Sequence, residues 1–332
     1  MSTTGGLGWY VHHHGRGHLH RALAVARELG EPVTGLSSLP RPDGWAGDWV
    51  HLAPDDPPST VGDPTAGGRL HWVPPHHQGL LRRSHQLSAW LDAARPRAVV
   101  VDVSVEVTLL VRLHGVPVVG VVLPGRRDDA AHRLALDVSD VLVGAWPQEA
   151  TPAMLPGLPT EVHERVHAVG ALSRHPVAQR SPHARTVTFL GGAGGHDLAS
   201  EALEDLLSRA RASTPTWSWE VAGPGRWHDD VAGLLERSSV VVTHAGQNAL
   251  AEVAAARRPA VVVPQSRPHE EQVTSAAALA AGGWPVTVLP ALPEAGWPDL
   301  LERTAGRDGG RWSSWVDGGA AGRFAALLRD VR

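Results

Sequence analysis

Cysteine is absent from the 332-residue chain, which excludes disulfide bonds and thiol chemistry. Basic residues are not in excess either, since 30 Lys and Arg face 34 Asp and Glu, for a formal charge of −4. A nucleic-acid-binding protein needs a basic surface to neutralise phosphates, so we expect no nucleic-acid partner. Phenylalanine and tyrosine are scarce, at two residues and one, whereas tryptophan occurs 13 times. The simplest interpretation is that tryptophan fills aromatic core positions.

Long apolar runs are also missing, because none approaches the ~20 residues of a membrane-spanning helix. The longest candidate, 98–113, is interrupted by Asp102, Glu106 and Arg112. Residues 1–8 lack the basic, apolar and small-residue regions of a secretory signal. We therefore expect a cytoplasmic protein whose membrane contact is at most peripheral.

Short apolar runs alternate with amphipathic segments, which is typical of βαβ units on a parallel sheet. The first unit pairs a predicted strand at 7–14 with a predicted helix at 18–29. A second series of such units begins at 186, after a polar, proline-containing segment. The sequence therefore predicts an α/β protein with domains at 1–172 and 186–332 and a linker at 173–185. Whether the last helix packs back onto the N-terminal domain is left open.

A glycine-rich turn follows the first predicted strand of each half. The glycines of interest are Gly15 and Gly17 in the first turn and Gly191, Gly192, Gly194 and Gly195 in the second. Glycine where a strand meets a helix lets the backbone approach a ligand closely, and a helix N-terminus favours anions. Neither turn has the complete dinucleotide-binding pattern or a Walker lysine, so a plain tight connection explains each one equally well.

The most specific pattern is the run HAGQNALAE, which extends from His244 to Glu252. Asn248 lies where a predicted helix begins, so its amide and the free N–H groups of the helix face any ligand docked there. Glu252 lies one turn further along the same face, where the ribose of a bound nucleotide would lie. Taken alone, the run is also explained by a capped helix with a solvated glutamate.

This run resembles the donor-binding signature of the UDP-glycosyltransferases, in which His-x-Gly-x-Asn is followed by Glu eight residues after the His. It is also similar to the N-acetylglucosaminyltransferase that forms lipid II, in which a strand ending in Pro precedes an acidic-or-Gln/Gln pair. Here Pro264 precedes Glu271 and Gln272. The resemblance spans 186–289 and implies the GT-B architecture, with two Rossmann-like domains that face each other across a cleft.

The resemblance implies that the C-terminal domain binds a nucleotide-diphosphate sugar and that the N-terminal domain binds a hydroxyl acceptor. UDP-sugar is the first choice of donor, with dTDP- and GDP-sugars as alternatives. The donor site would consist of His244 and Asn248 at the diphosphate, Glu252 at the ribose, Glu271 and Gln272 at the sugar, and Gly246 and Gln247 beside them. The second glycine-rich turn, with Gly191, Gly192, Gly194 and Gly195, would complete it. The acceptor is not identified, and residues 39–91, whose pattern is unfamiliar, are expected to determine it.

Inverting sugar transfer needs a base near the acceptor hydroxyl and stabilisation of the departing diphosphate. His18, at the mouth of the first strand–helix turn, is the best candidate base because imidazole titrates near neutral pH. In the family a histidine at this place is often oriented by an aspartate, and Asp102 at the end of a later strand fits that place. The alternative is that His18 lies at a helix N-terminus without catalytic duty.

A metal site built from His12, His13 and His14 is a rival interpretation of the histidine-rich first turn. Consecutive residues on a strand alternate faces and cannot all reach one ion, so we expect no essential metal and no cofactor. Two other functions remain open. One is hydrolysis of a nucleotide sugar with water as acceptor, which is suggested by the histidine-containing first turn and the basic Arg21 after it. The other is a non-catalytic subunit that binds a nucleotide sugar.

Overall fold

The computed structural model describes residues 5–56, 62–178, 185–192, 196–223 and 228–331. These residues form two α/β domains, each built on a parallel sheet. Gly194 and Gly195 of the second glycine-rich turn lie outside the described residues.

The N-terminal domain has a seven-stranded sheet in the order β3-β2-β1-β4-β5-β6-β7. Its strands are β1 (Leu7–Val11), β2 (Val33–Ser37), β3 (Trp49–His51), β4 (Ala98–Asp102), β5 (Val118–Val122), β6 (Val141–Gly144) and β7 (Val166–Ala168). Its helices are α1 (Gly17–Leu29), α2 (Gln78–Ala94), α3 (Val105–Leu113), α4 (Ala130–Val138), α5 (Thr151–Met154) and α6 (Thr160–Arg165). The strand order reverses between β1 and β4, where Val11 pairs with Asp102. Open α/β sheets bind ligands at such a switch point.

The C-terminal domain has a five-stranded sheet in the order β12-β11-β10-β8-β9. Its strands are β8 (Thr186–Leu190), β9 (Ser218–Ala222), β10 (Val240–Thr243), β11 (Ala260–Val262) and β12 (Val286–Val288). Its helices are α7 (Ser200–Ser213), α8 (Val231–Arg237), α9 (Gln247–Ala255), α10 (Glu271–Gly282), α11 (Trp297–Ala305) and α12 (Ala320–Asp330). Within the described ranges, no helix combines the length and apolarity needed to cross a membrane.

The central strands explain why the alternating pattern is visible in the sequence. Every residue of β4 and of β10 is buried, and both strands are nearly continuous runs of valine. Helices cover both faces of a parallel sheet, so its strands are apolar throughout instead of alternating.

Two sequence-based assignments differ from the structure. The strand predicted at 7–14 ends at Val11, so His12, His13 and His14 lie in the turn before α1. The helix α2 was not predicted because one of its buried positions is Arg83, which interrupts the apolar stripe. Arg83 is satisfied there by the Asp55 carboxylate at 2.7 Å and the Tyr10 hydroxyl at 3.1 Å.

The last helix, α12, crosses back to the N-terminal domain and packs along α1. Its Phe324 is fully buried, with its ring centroid 5.5 Å from that of Trp9 on β1. Arg329 donates to the backbone carbonyls of Glu28 and Leu29, which are orphan acceptors at the end of α1. The C-terminal helix is therefore part of the N-terminal core.

We expect Phe324→Ala to destabilise the N-terminal domain by about 3–5 kcal/mol, because the truncation leaves a cavity against Trp9. Thermal and denaturant unfolding of the full chain measure the effect. Leu81→Ala is the matched control, since Leu81 is 64% exposed and its truncation should change the stability by no more than about 0.5 kcal/mol. Equal stability of the two variants would show that α12 contributes nothing to this core.

Candidate active site

A cleft of about 250 Å³ between the two domains collects most of the residues selected from the sequence. It lies at the carboxyl ends of β1 and β10, where α1, α9 and α10 begin. The selected residues that line it are Gly15, Gly17, His18, Gly192, His244, Gly246, Gln247, Asn248, Glu271 and Gln272. Gly191 immediately precedes Gly192 at the end of β8, where its N–H donates to the carbonyl of Ala222.

His18 and Asp102 meet at the N-terminal side of the cleft. His18 Nδ1 donates to Asp102 Oδ1 at 2.8 Å, because α1 begins directly beside the carboxyl end of β4. The His18 side chain is partly exposed to the cleft, whereas Asp102 is fully buried. With the Nδ1 proton held by Asp102, Nε2 is the ring nitrogen that can accept a proton from a ligand.

Arg21 completes this group and was not selected as a site residue from the sequence. Its Nη1 donates to Asp102 Oδ1 at 2.8 Å, and its Nη2 donates to Gln247 Oε1 at 3.1 Å in the other domain. Burial would raise the pKa of Asp102, but the Arg21 guanidinium and the His18 ring hold that pKa below its usual value. Asp102 is therefore ionised at neutral pH. The spacing of Arg21 three residues after His18, on the same helix face, is the signal that could have identified it.

The two domains approach closely where α1 and α9 begin. A Cβ atom on Gly17 would lie 2.5 Å from Asn248 Nδ2, so any larger residue here would displace the Asn248 amide. Gln247 accepts from Arg21, while its own Nε2 is buried without a partner among the described residues. The N-terminus of α9 thus presents amide groups and free backbone N–H groups to the cleft.

His244 lies at the opposite wall of the cleft, directly after β10. Its Nδ1 donates to the backbone carbonyl of Val263 at 3.0 Å. Burial lowers the pKa of His244 to about 4, so the ring is neutral at pH 7. Its Nε2 is buried without a partner among the described residues. An unpaired buried nitrogen at a ligand cleft is a candidate for ligand contact.

His196 packs against His244, with ring centroids 4.8 Å apart, and was also missed from the sequence. Its Nδ1 accepts the N–H of Leu198 at 2.9 Å, which places the ring proton on Nε2. That Nε2 is buried and has no partner within the described ranges. His196 comes directly after the second glycine-rich turn, and only this position suggests a role.

Gln272 and Glu271 begin α10 at the far end of the cleft. Gln272 is buried, and its Oε1 accepts the backbone N–H of Gln265 at 2.9 Å. A Cβ on Gly246 would lie 3.7 Å from Gln272 Nε2, so the amide is close to the start of α9. The pair therefore lies beside the run 244–248, as its position after Pro264 suggested.

Glu252 does not line the cleft itself but a neighbouring cavity of about 260 Å³ that shares Arg21, Gln247 and Asn248 with it. The carboxylate is buried and accepts from Arg174 Nε at 2.6 Å. Arg174 belongs to the segment predicted as the linker. A ligand bound across Asn248 would extend from the cleft into this cavity, where it would compete with Arg174 for Glu252.

A larger cavity of about 600 Å³ lies within the N-terminal domain. Its apolar wall is formed mainly by Leu70, Trp72, Leu80, Leu87, Leu110 and Leu113. Asp55 lies at its polar end, held by Arg83. Its Oδ1 is buried and accepts no hydrogen bond in the described part of the chain, although His13 Nε2 lies 3.8 Å away. His12 connects this cavity to the cleft, because it lines the cavity and its ring centroid lies 5.7 Å from that of His18.

His12, His13 and His14 were expected to alternate between the faces of a strand, which is wrong because all three lie beyond β1. His13 Nε2 lies 2.9 Å from Asp56 Oδ2, and His14 Nε2 lies 3.2 Å from Asp56 Oδ1. These three side chains can converge on one point. Burial lowers the pKa of the neighbouring His12 to about 3, so that ring stays neutral.

Comparison with known proteins adds to this geometry. Residues 220–287, which include the run 244–252 and the pair 271–272, match the family model of the glycosyltransferase family 28 C-terminal domain. A curated relative from Nitratidesulfovibrio vulgaris is 31% identical over 171 residues, which cover 46% of this chain and 45% of the relative. It is a UDP-N-acetylglucosamine–N-acetylmuramyl-(pentapeptide) pyrophosphoryl-undecaprenol N-acetylglucosamine transferase. The chain thus matches just under half of the length of this relative.

Solved structures match along the whole chain. The glycotransferase of kitacinnamycin has a TM-score of 0.70 at 18% identity, with 99% of each chain covered. The calicheamicin glycosyltransferase CalG4 has a TM-score of 0.66 at 18% identity, covering 98% of this chain and 97% of that one. MurG of Acinetobacter baumannii has a TM-score of 0.61 at 16% identity, covering 98% and 99%. The chain therefore has the GT-B fold of these glycosyltransferases, and its C-terminal domain resembles the glycosyltransferase family 28 C-terminal domain.

Proposed function

We propose that the protein is an inverting glycosyltransferase that moves a sugar from a nucleoside-diphosphate sugar to a hydroxyl group of a largely apolar small molecule. The observation that carries the proposal is the pairing of His18 with the buried Asp102, opposite the run 244–248 across one cleft. A base in one domain thus faces a diphosphate site in the other. The relatives named above support a UDP-sugar as the first donor to test.

The chemical step is a single displacement. His18 Nε2 takes the proton of the acceptor hydroxyl as the oxygen attacks the anomeric carbon, and the bond from that carbon to the diphosphate oxygen breaks. Asp102 keeps the Nδ1 proton in place and stabilises the imidazolium that forms. Arg21 neutralises Asp102 and so keeps the carboxylate from taking the ring proton.

The departing diphosphate gains one negative charge, on the oxygen released from the anomeric carbon, and the site has to stabilise that charge. The N-terminus of α9 at Gly246 to Asn248 supplies N–H groups, and Gly192 of the second glycine-rich turn lines the same cleft. His196 Nε2–H adds a side-chain donor on the same wall. These groups are preorganised, so the proposed step includes no metal ion and no cofactor.

The acceptor binds in the 600 Å³ cavity, whose leucine and tryptophan wall suits a ring system or an aliphatic chain. Asp55 Oδ1 is a fixed hydrogen-bond acceptor for a second hydroxyl of that molecule. A cavity of this size beside His12 favours transfer over hydrolysis, because water as acceptor needs no such space.

A donor screen by thermal shift, followed by mass spectrometry with apolar hydroxylated acceptors, tests the function. We expect a product that carries the sugar on oxygen. Free sugar released at the same rate without acceptor would identify a hydrolase. Donor binding with no turnover across a broad acceptor panel would identify a binding subunit.

We expect His18→Ala to lower kcat by roughly 10²–10⁴-fold with nearly unchanged donor affinity, because the base acts on the acceptor. Asp102→Asn should lower kcat less, and the double variant should resemble His18→Ala. His114→Ala, which changes an exposed histidine on the domain surface, is the control. Normal kcat in His18→Ala, under conditions where chemistry limits the rate, would remove this mechanism, and melting temperatures identify any loss of fold.

We expect Glu252→Gln to weaken donor binding by about 1.5–3 kcal/mol, because a charge-assisted bond to the ribose hydroxyls is lost. Arg174→Gln is the matched control, since it breaks the same ion pair from the other side. If ribose displaces Arg174, that control should bind the donor as tightly as the wild type or more tightly. Calorimetric titration measures the donor affinity of both variants. An unchanged donor affinity in Glu252→Gln would contradict the assignment of Glu252 to the ribose.

Donor binding should take up a proton at His244. The neutral ring already donates from Nδ1 to Val263, so Nε2 can donate to a phosphate oxygen only when protonated. A bound phosphate anion raises the pKa of His244, which is about 4 in the free protein. Donor affinity therefore increases as the pH falls through the raised pKa of His244 in the complex. Calorimetry at pH 6 in buffers of different ionisation enthalpy measures the uptake. His244→Gln donates without protonation, so equal uptake in that variant would contradict the assignment.

A further inference from the structure

Three histidines from three separate segments meet at the seam between the domains, outside the residues that line the cleft. His71 comes from the loop before α2, His132 from α4, and His269 from the turn before α10 in the C-terminal domain. Their ring centroids lie 4.3 Å (71 to 132), 4.6 Å (132 to 269) and 5.5 Å (71 to 269) apart. No step proposed above uses this cluster.

The ring nitrogens of the three histidines are close enough to share an ion. One nitrogen from each ring lies within 4.8 Å of the other two. A tetrahedral zinc site with Zn–N bonds of ~2.0–2.1 Å requires nitrogens roughly 3.3–3.4 Å apart. Imidazole nitrogen is a common ligand of zinc, whereas magnesium and calcium prefer oxygen ligands.

Asp129 orients two of the rings in the manner of a metal site. Its carboxylate accepts from His71 Nε2 at 3.1 Å and from His132 Nδ1, which leaves His71 Nδ1 and His132 Nε2 without protons. Asp129 is itself fixed, because it caps α4 by accepting the N–H groups of Ala131 and His132. Ligating histidines in proteins usually donate their other ring N–H to a carboxylate in this way.

The Arg127 guanidinium lies beside the ring of His132. Arg127 Nη1 donates to His132 Nε2 at 3.0 Å, while Arg127 Nη2 donates to the carbonyl of Pro124 at 2.9 Å. Only the first of these bonds has to break for His132 Nε2 to bind a metal.

The backbone around His269 is held in an unfavourable conformation against the N-terminal domain. His269 and Glu270 have φ of 57° and 55°, and neither residue is glycine. Arg126 N donates to the carbonyl of His269 at 2.8 Å, and a Cβ on Gly125 would lie 2.3 Å from that carbonyl oxygen. Two consecutive left-handed residues store strain, which tends to be retained where it positions a functional group.

We propose that His71, His132 and His269 bind one zinc ion, which links the two domains beside the cleft. The site takes two ligands from the N-terminal domain and one from the C-terminal domain, so it forms only when the domains are closed. His269 lies two residues before Glu271, so the ion would also fix the start of α10. The inference does not rest on the proposed function, because the ion lies outside the reacting groups.

The test uses the full chain after treatment with EDTA and removal of the chelator. Zn²⁺ is titrated in competition with a chromophoric chelator, and Co²⁺ is titrated while the visible absorption is recorded. We expect one tight equivalent of zinc and Co²⁺ bands typical of tetrahedral nitrogen coordination. His269→Ala should weaken zinc binding by at least about 100-fold, and Asp129→Asn by roughly 10–100-fold, since asparagine keeps the helix cap but not the charge.

Two controls separate this cluster from other histidines. His114→Ala removes an exposed histidine far from any cluster and should bind zinc as the wild type does. His14→Ala disrupts the group of His13, His14 and Asp56, which can also converge on an ion. Zinc should slow amide exchange at 66–73 and 266–271 in the wild type and in both controls, but not in His269→Ala.

Two outcomes would overturn the proposal. One is wild-type zinc affinity in His269→Ala, which is expected to fold normally because His269 is exposed. The other is loss of the tight equivalent in His14→Ala instead, which would assign the ion to the first turn. Donor affinity measured in parallel shows whether the donor site stands independently.

Discussion

A carboxylate with no contact with solvent determines how this site is assembled. Asp102 ends the central strand of the N-terminal sheet and is fully buried, so its charge has to be balanced by groups held close to it. Arg21 and His18 supply that balance from one face of α1. Neither partner can move away without leaving an uncompensated buried charge. The orientation of the imidazole is therefore imposed by electrostatics within the fold and does not depend on a bound substrate.

The same ion pair connects the domains. Arg21 reaches Gln247 across the cleft with its second nitrogen, and Gly17 admits Asn248 because it has no side chain. Arg21 thus lies between His18, which would accept a proton, and the start of α9, which would hold a diphosphate. A change in domain closure would alter both the position of α9 and the environment of Asp102. The start of α9 and the surroundings of His18 are therefore connected through Arg21.

How much of the fold and the site the sequence predicts depends on how far apart in the chain the contacting residues lie. The run 244–252 is read directly from the sequence, because a strand end, a helix start and a turn of helix have fixed spacing. Arg21, His196 and Arg174 were missed because their partners lie far away in the chain and only folding brings them together. The helix α2 was missed for the same reason, because Arg83 on its buried face donates to Asp55 and Tyr10 from other segments.

The cleft and the 600 Å³ cavity differ in how far apart in the sequence their lining residues lie. The C-terminal wall of the cleft is formed largely by the turn between β10 and α9, whose residues are close together in the sequence. The 600 Å³ cavity is built from side chains of α2, α3 and the loop at 62–77, and Glu106 fixes that loop by accepting the N–H groups of His71 and Trp72. Its shape can change by substitution on those elements without disturbing Asp102 or α9. The cleft thus draws on residues that are close together in the sequence, whereas the larger cavity draws on several separate elements, and His12 and His18 lie where the two regions meet.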